Sequence, residues 1–424
     1  MTDINGDIPA LLRALFDRAV EVADPIQSLG AALPPRPEGR LLVVGAGKAS
    51  ARMAEAVEAI WGPCEGLVIT RYGYARPCEG IEIVEAAHPV PDEAGARATA
   101  RMLDLLSGLA EGDTALALIS GGGSALLTAP ADGITLAEKQ ALTDALLASG
   151  APIGDINDIR KQISAVKGGK LAAAAYPARM ISLMISDVPG DDPGDIASGP
   201  TVGTTGDAAG ALAVLDRWGI TPPASIAEFL GHGGSPLSPD DPRLSRVENV
   251  IYAAPSQSLA AAADLARERG IDPVILGDAI EGEARDIAAD HAALALNEQA
   301  GLAPGARPML LLSGGELTVT RRGDGVGGPN AEYALALALA LNEATGIHAI
   351  ACDTDGVDGA AEVAGAIIGP DSLTQAKAVG EDPRAALDRN DAHSFFDHIG
   401  AQVVPGPTLT NVNDFRAILV LPAT

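Results

Sequence analysis

Two glycine-rich turns, and the charges beside them, are the residues of this sequence whose types and spacing could do chemistry. The run Leu41-Leu42-Val43-Val44-Gly45-Ala46-Gly47-Lys48-Ala49-Ser50 reads as a strand that breaks into glycines and restarts as a helix. Glycines let the backbone approach an anion closely, a helix start supplies unpaired N–H groups, and Lys48 adds a full positive charge. The turn therefore suits a phosphate or a carboxylate. It is neither of two familiar phosphate loops. A dinucleotide turn asks for GxGxxG and finds Ser50 in its third position, and the spacing of a Walker A loop is absent. The second turn, Ile119-Ser120-Gly121-Gly122-Gly123-Ser124, also follows an apolar strand. Consecutive glycines there can form an anion-binding nest with the Ser120 and Ser124 hydroxyls at its rim.

Further along, Asn157 to Lys170 carries Arg160, Ser164 and Lys167. If this segment is one helix, offsets of about four and seven residues put the three on one face, where they could point together at an acid or a phosphate. Ser186-Asp187-Val188-Pro189-Gly190-Asp191-Asp192 follows another apolar run. Carboxylates such as Asp187 and Asp192 at a strand end are typical partners for Mg²⁺ carrying a nucleotide, although Asp, Pro and Gly also build plain turns. Three more clusters lie later in the chain. Ser313 to Glu316 follows a strand, Gly323 to Glu332 opens a helix and contains Asn330, and Cys352 to Gly359 follows a strand and contains Asp355. Glycine and carboxylate loops from two domains facing one another would make a cleft suited to ATP and a small acid.

The elements that must position these residues alternate between short aliphatic runs and alanine-rich stretches of helical spacing, which predicts βα units and a mostly parallel sheet. Strands are expected at Leu41 to Val44, Leu67 to Thr70, Ile81 to Glu85, Ala115 to Ile119 and Met180 to Ile185. Helices are expected at Ile8 to Asp24, Ser50 to Ile60, Glu93 to Gly108, Leu136 to Leu147 and Asp158 to Ala174. Thr221 to Asn249, rich in Pro, Gly, Ser and Asp, reads as an inter-domain connection. After it the rhythm resumes with strands at Val250 to Ala254, Pro273 to Leu276 and Met309 to Leu312, and helices at Ser258 to Arg269 and Glu283 to Asn297. The expected fold class is α/β in two domains, a Rossmann-like parallel-sheet domain over residues 1–235 and a second α/β domain over 236–424.

Composition narrows the function classes. Hydrophobic residues make up 47% of the 424 and charged residues 20%, which supplies a sizeable core and argues against disorder. A net charge of −27, from 29 basic and 56 acidic residues, would repel a phosphate backbone, so nucleic acid is not an expected partner. Against that background four of the six lysines, Lys48, Lys161, Lys167 and Lys170, fall inside the segments described above, as an anion site within an acidic protein requires. No apolar run is long enough to span a membrane and no signal segment opens the chain, so a cytoplasmic protein with no membrane partner is expected. Cys64, Cys78 and Cys352 stand singly, which indicates neither a disulfide framework nor a structural zinc site.

Taken in order, GAGKAS, SGGGSALL, NDIRKQISAVKGGKLA, SDVPGDDPGDIASGPT, LSGGELTV, GGPNAE, DTDGVDG and TNVNDF resemble the glycerate 2-kinase family, whose C-terminal part is known as the MOFRL domain. The resemblance spans about residues 8 to 420, with the MOFRL region at about 305–420. It implies ATP-dependent phosphorylation of D-glycerate to 2-phosphoglycerate with Mg²⁺ or Mn²⁺, and it leaves room for a homo-oligomer. Members have often been labelled hydroxypyruvate reductases, and an NAD(P)-dependent reductase is the first alternative reading, a non-catalytic sensor that binds phosphorylated acids the second. The family's catalytic lysine falls on Lys48, and Asn411 and Asp414 fall in its closing loop. With Asp187 and Asp355 as further catalytic candidates, the expected binding residues are Gly45, Gly47, Ser120, Gly121, Gly122, Gly123, Ser124, Arg160, Lys167, Glu316, Asn330, Asn411 and Asp414. The sequence departs from the family at Pro329, where GGRN has its arginine; Arg321, Arg322 or Arg160 could supply the missing charge, or Lys48 and a metal could act without it.

Overall fold

The computed structural model describes residues 7–359 and 361–423. The chain forms two compact units that do not follow chain order. Of the described residues, one comprises 25–186 and 191–253, the other 7–24, 187–190 and those from 254 onward.

The first unit is built on a six-stranded sheet of β1 (Leu41–Ala46), β2 (Glu65–Arg71), β3 (Ile81–Ala86), β4 (Thr114–Ile119), β5 (Arg179–Ile185) and β6 (Val247–Ala253). The strand order is β3-β2-β1-β4-β5-β6 and every pairing is parallel. β1 and β4 are buried at every position, as central strands covered on both faces must be. From β1 the chain winds outward through β2 to β3, then returns to place β4 on the other side of β1. The order thus reverses between β1 and β4, and in open parallel sheets the crevice at such a reversal, outside the carboxyl ends of the strands, is where ligands bind.

Between β4 and β5 the chain makes a long excursion through helices Gly123–Leu126, Leu136–Ser149, Ile153–Gln162 and Lys170–Ala175. The single helix expected over Asp158 to Ala174 is therefore two helices. The first ends at Gln162, where Ser164 turns its hydroxyl to the N–H groups of Val166 and Lys167, and the second starts at Lys170 after Gly168 and Gly169, whose φ of 58° and 83° give the left-handed backbone that leads into it. The expected connection at Thr221 to Asn249 is also corrected. It contains a helix, Ala224–Gly231, whose Ile226 and Leu230 are buried against Val214 and Leu215 of helix Ala208–Arg217, and it ends in β6. The run read as the first strand of the second domain is in fact the sixth strand of the first sheet.

The second unit holds β7 (Asp272–Gly277), β8 (Gly282–Glu283), β9 (Met309–Ser313), β10 (Leu317–Thr318), β11 (Ile347–Asp353), β12 (Gly365–Ile368), β13 (Gln402–Val403) and β14 (Asp414–Val420). Its six-stranded sheet runs β13-β12-β11-β14-β9-β7, and β8 with β10 forms a separate two-stranded ladder. Only β7 and β9 of the larger sheet pair in parallel; its other pairings are antiparallel. The expectation of a mostly parallel sheet holds for the first unit and fails here, because the last strand of the chain inserts between β11 and β9 and runs against both.

Side chains of this sheet alternate between two cores, as the two-residue period of strands dictates. Leu311, Ala349, Ala351, Ile418 and Val420 face helices Ala284–Gly301 and Pro329–Leu341. Leu310, Leu312, Ile350, Cys352, Phe415 and Leu419 face helices Ile8–Ala23 and Pro255–Glu268. The first helix of the chain, capped by the Asp7 carboxylate on the Ala10 N–H, thus covers one face of the C-terminal sheet, with Phe16 6.1 Å from Phe415 between ring centroids. No helix among the described residues is long and apolar enough to cross a membrane.

Phe16 is fully buried in that core. Phe16→Ala should cost about 3–5 kcal/mol, the usual range for emptying a buried aromatic site. Urea unfolding should register the loss in the second unit even though the substitution lies near the N-terminus; an unchanged transition would contradict this placement of the first helix.

Candidate functional site

The two glycine turns lie at the carboxyl ends of β1 and β4, on either side of the reversal in strand order. They are bonded to each other. The Lys48 N–H donates to the Gly121 carbonyl at 2.8 Å, the Ala49 N–H donates to Ser120 Oγ at 3.1 Å, and the Ser50 and Ser120 hydroxyls are 3.1 Å apart. Gly47, at φ 150°, packs so tightly on Ser120 that a Cβ would overlap its hydroxyl and carbonyl. Gly45 is a strand residue, paired with Leu118, and a Cβ there would overlap the Leu118 carbonyl. Both glycines are thus required by the contact between the strands. Gly122 is left-handed at φ 79°, and a Cβ on it would lie 3.0 Å from Lys48 Cγ and 3.1 Å from His88 Cδ2. The half-buried side chains of Lys48 and His88 therefore run together over the nest glycine. His88 was not singled out in the sequence; only its place after β3, at the strand ends, could have signalled it.

From Ser124 a chain of polar contacts leads away from this turn. Ser124 Oγ lies 2.7 Å from Ser198 Oγ, which donates to Asn157 Oδ1 at 3.0 Å, and Asn157 Nδ2 and Lys161 Nζ reach Asp195 Oδ1 at 3.5 and 3.3 Å. Ala197 and Ser198 hold positive φ of 53° and 62°, and a Cβ on Gly123 would come within 2.6 Å of Ala197 Cβ. Non-glycine residues pay strain for that backbone. It presses the Asp195–Gly199 turn onto the second glycine turn.

Arg160 and Lys167 do not share a helix face. Lys167 follows the break, is completely buried, and donates from Nζ to the Leu127 carbonyl at 3.1 Å. Ser164 accepts the N–H groups of Val166 and Lys167 at 3.2 Å, so it organises the break. Lys139, which sequence reasoning passed over as a helix position, is 3% exposed and donates to the Thr128 hydroxyl. Burial, together with the Arg160 charge, lowers its amine to about 7. Burial also lowers Arg160, and it pushes Lys167 well below the usual lysine value, with Lys139, Arg160 and Lys170 adding repulsion.

In the second unit the remaining candidates gather around β11 and β14. Asp187, half-buried, accepts Asn411 Nδ2 on Oδ2 at 3.1 Å, and its carbonyl accepts Asn413 Nδ2 at 2.9 Å. Thr354 ties the same loop down: its hydroxyl donates to the Asn413 carbonyl at 2.6 Å and accepts the Val412 N–H at 2.9 Å. Asp355 is fully buried beside it and accepts the Val357 N–H at 2.8 Å. Asp187, Asn411 and Asp355 are thus joined through one bonded loop.

Asn330 and Asp414 belong to a neighbouring network. Asp358 accepts the N–H groups of Asn330 and Ala331, each at 2.9 Å, and so caps helix Pro329–Leu341. Asn330 Nδ2 donates to Asp414 Oδ1 at 2.6 Å, while Arg416, 1% exposed, donates to Asp414 Oδ2 at 2.9 Å and to the Gly314 carbonyl at 2.5 Å. Burial outweighs the attraction of Arg416 and raises the Asp414 carboxyl to about 6. Sequence reasoning missed Arg416, and its one signal was a lone arginine within the apolar strand Asp-Phe-Arg-Ala-Ile-Leu-Val. Glu316 stands exposed between β9 and β10. Pro329 occupies the first turn of its helix, where the N–H it lacks is not missed. Arg321 and Arg322 are exposed, with Arg321 Nε on the Gly323 carbonyl at 3.1 Å.

Among the described residues no group of three or more His, Cys, Asp and Glu side chains is placed to hold a metal ion. Asp192 is exposed and accepts the Gly194 N–H at 2.7 Å in a tight turn. A cation that arrives on a nucleotide needs only one or two protein carboxylates, the rest of its shell being phosphate and water. The half-buried Asp187 carboxylate fits that demand.

Residues 11–231 match a family described as a domain of unknown function, DUF4147, and residues 309–414 match the MOFRL family. A protein of Agrobacterium vitis named putative hydroxypyruvate reductase is 50% identical, over 97% of this chain and 94% of its own length. The D-glycerate 2-kinase of Thermotoga maritima is 38% identical, over 96% and 97%. A crystal structure of glycerate kinase from Thermotoga maritima superposes with a TM-score of 0.86 at 36% identity, covering 98% of this chain and 99% of that one. With the α/β sheets, the paired glycine turns and the closing Asn411–Asp414 loop described above, this chain belongs to the glycerate 2-kinase family with its MOFRL region.

Proposed function

We propose that the protein transfers the terminal phosphoryl group of ATP to the 2-hydroxyl of D-glycerate. The observation that carries this reading is the locked pair of turns at the strand-order reversal, which presents the Lys48 stem over Gly122. A reductase would need its dinucleotide turn open to a pyrophosphate, with a third glycine for close helix packing. Here that position is Ser50, whose hydroxyl faces Ser120. The name D-glycerate 2-kinase carried by the Thermotoga maritima relative supports the kinase reading and the 2-position.

Phosphoryl transfer asks little covalent chemistry of a protein and much positioning and charge stabilisation. Lys48 supplies positive charge at the transferring group. Backbone N–H groups at the starts of helices Ser50–Trp61 and Gly123–Leu126, with Ser120 and Ser124, hold the neighbouring oxygens. In the second unit Asp187, held by Asn411 Nδ2, is a carboxylate that would suit a divalent cation carried by a nucleotide. Asp355 fixes the loop beside it, and Asn330 and Asp414 keep that loop on the sheet. A bound Mg²⁺ or Mn²⁺ would neutralise phosphate charge. The protein works as a small-molecule kinase in the cytoplasm, where its three free cysteines would stay reduced.

A coupled assay with D-glycerate, ATP and Mg²⁺ should give 2-phosphoglycerate by phosphorus NMR, and NADH should not be consumed with hydroxypyruvate. NADH-dependent reduction without phosphorylation would reverse the reading. Excess chelator should abolish turnover and added Mn²⁺ restore it; full activity in chelator would remove the cation from the reaction. Lys48→Ala should lower kcat by roughly 10²–10³, or about 3–4 kcal/mol, by analogy with loss of an oxyanion donor. Its melting temperature should stay near wild type, because the backbone bond from residue 48 to Gly121 survives the change. A variant that melts normally and keeps more than about a third of its kcat would contradict the electrostatic role.

A further inference from the structure

We propose that Lys139, Lys167 and Arg160 form the floor of a binding site for a small oxyanion, either a carboxylate or a phosphoryl group. Lys167 is 0% exposed and Lys139 3%. Their amines meet adjacent residues of one loop, the Leu127 carbonyl and the Thr128 hydroxyl. Arg160, half-buried on helix Ile153–Gln162, is close enough to repel both amines and keeps a side open to solvent. Among the described residues no carboxylate pairs with any of the three.

A protein does not gain stability by burying like charges together, and apolar side chains of similar size would fill the space at lower cost. An ammonium has three donors and a guanidinium five. Each lysine here gives one to the protein and Arg160 gives none. What is left is the Arg160 charge and two amines that burial disfavours in the charged form, all with spare donors, and an oxyanion supplies both the counter-charge and the acceptors. The placement suits a ligand. Gly168, next to Lys167, donates its N–H to the Ser198 carbonyl at 3.2 Å, and Ser198 meets Ser124 of the second glycine turn. Both substrates of the kinase reading carry such anionic groups, and the inference extends that reading without needing it.

An arriving anion also has a protonic signature. The Lys139 amine, lowered to about 7 by burial and by Arg160, is only partly protonated at neutral pH. Arg160 acts on it and Lys167 repels it in turn, Lys170 acts on Lys167, and no acid is among the groups that shift either amine. A negative ligand favours the ammonium form, raises the amine, and draws protons from solvent.

The test is calorimetric titration of the full chain with D-glycerate, ATP with Mg²⁺, and inorganic phosphate. Each is run at pH 7.5 in two buffers of different ionisation enthalpy. At least one of the three should bind with net proton uptake. Arg160→Gln should weaken that ligand at least tenfold, and Arg160→Lys should recover most of the loss. Lys139→Met should reduce the proton uptake, leaving only the share that Lys167 takes, and circular dichroism melts should match wild type for each variant. Weakening confined to D-glycerate assigns the site to a carboxylate, and weakening of phosphate and ATP assigns it to a phosphoryl group. The proposal is overturned if none of the three binds, if binding takes up no protons, or if Arg160→Gln leaves all affinities unchanged. Arg160-dependent phosphate binding in a protein that never phosphorylates glycerate would keep the site and sink the kinase reading. Normal turnover with affinities indifferent to Arg160 would do the opposite.

Discussion

The hydrogen bonds from the Gly45–Ser50 turn to Ser120 and Gly121 are the constraint on which the candidate site depends. A parallel sheet brings β1 and β4 side by side, but it does not decide how the chain leaves their ends. Here one serine hydroxyl meets an N–H and a second hydroxyl, and one carbonyl takes the N–H of Lys48. The lysine backbone is thereby fixed to the neighbouring strand's turn, and its side chain runs past Gly122. Gly47 and Gly45 are small because the turns touch there, which leaves Gly122 as the glycine whose missing side chain makes room for functional groups.

The two units handle buried charge in opposite ways. In the second unit the buried carboxylates have partners: Asp358 takes two helix N–H groups, and Asp414 takes Asn330 and Arg416. Burial still raises Asp414 to about 6, yet the ion pair and the amide fix its geometry. Such a network holds β14, β9 and the helix start of Pro329–Leu341 in one arrangement, the role that a satisfied polar cluster plays best. In the first unit no carboxylate pairs with the buried Lys139 or Lys167 among the described residues, an arrangement that contributes nothing to rigidity by itself.

Much of this was legible in the sequence, for reasons that particular residues make plain. The strands of the first sheet announced themselves because β1 and β4 are buried on both faces and read as unbroken apolar runs. Their glycine turns were visible because no other residue tolerates such close approach. The helix expected through Ser164 was not broken by any residue of low propensity until Gly168, so spacing alone could not show that the backbone turned earlier to let Ser164 hold two N–H groups. Partnership across the chain was equally hidden. Nothing local to Ile8–Ala23 says that it will cover a sheet completed by residues 414–420, and nothing local to Lys139 says that helix Leu136–Ser149 turns that lysine inward. Tertiary burial decided both.

Pro329 shows how the structure can absorb a departure from a family pattern. With proline there, the N–H groups of the next two residues go to Asp358, and the helix start is closed by the chain's own carboxylate. Arg416 does not stand in for the lost side chain, since its three named bonds run to Asp414, Gly314 and Ser313. Arg321 turns back on its own loop. The helix dipole that could have favoured an incoming phosphate is occupied by Asp358. Within the first unit, by contrast, Lys48 stands over its glycine, and Lys139 and Lys167 lie buried beside the half-buried Arg160 with no carboxylate paired to them among the described residues.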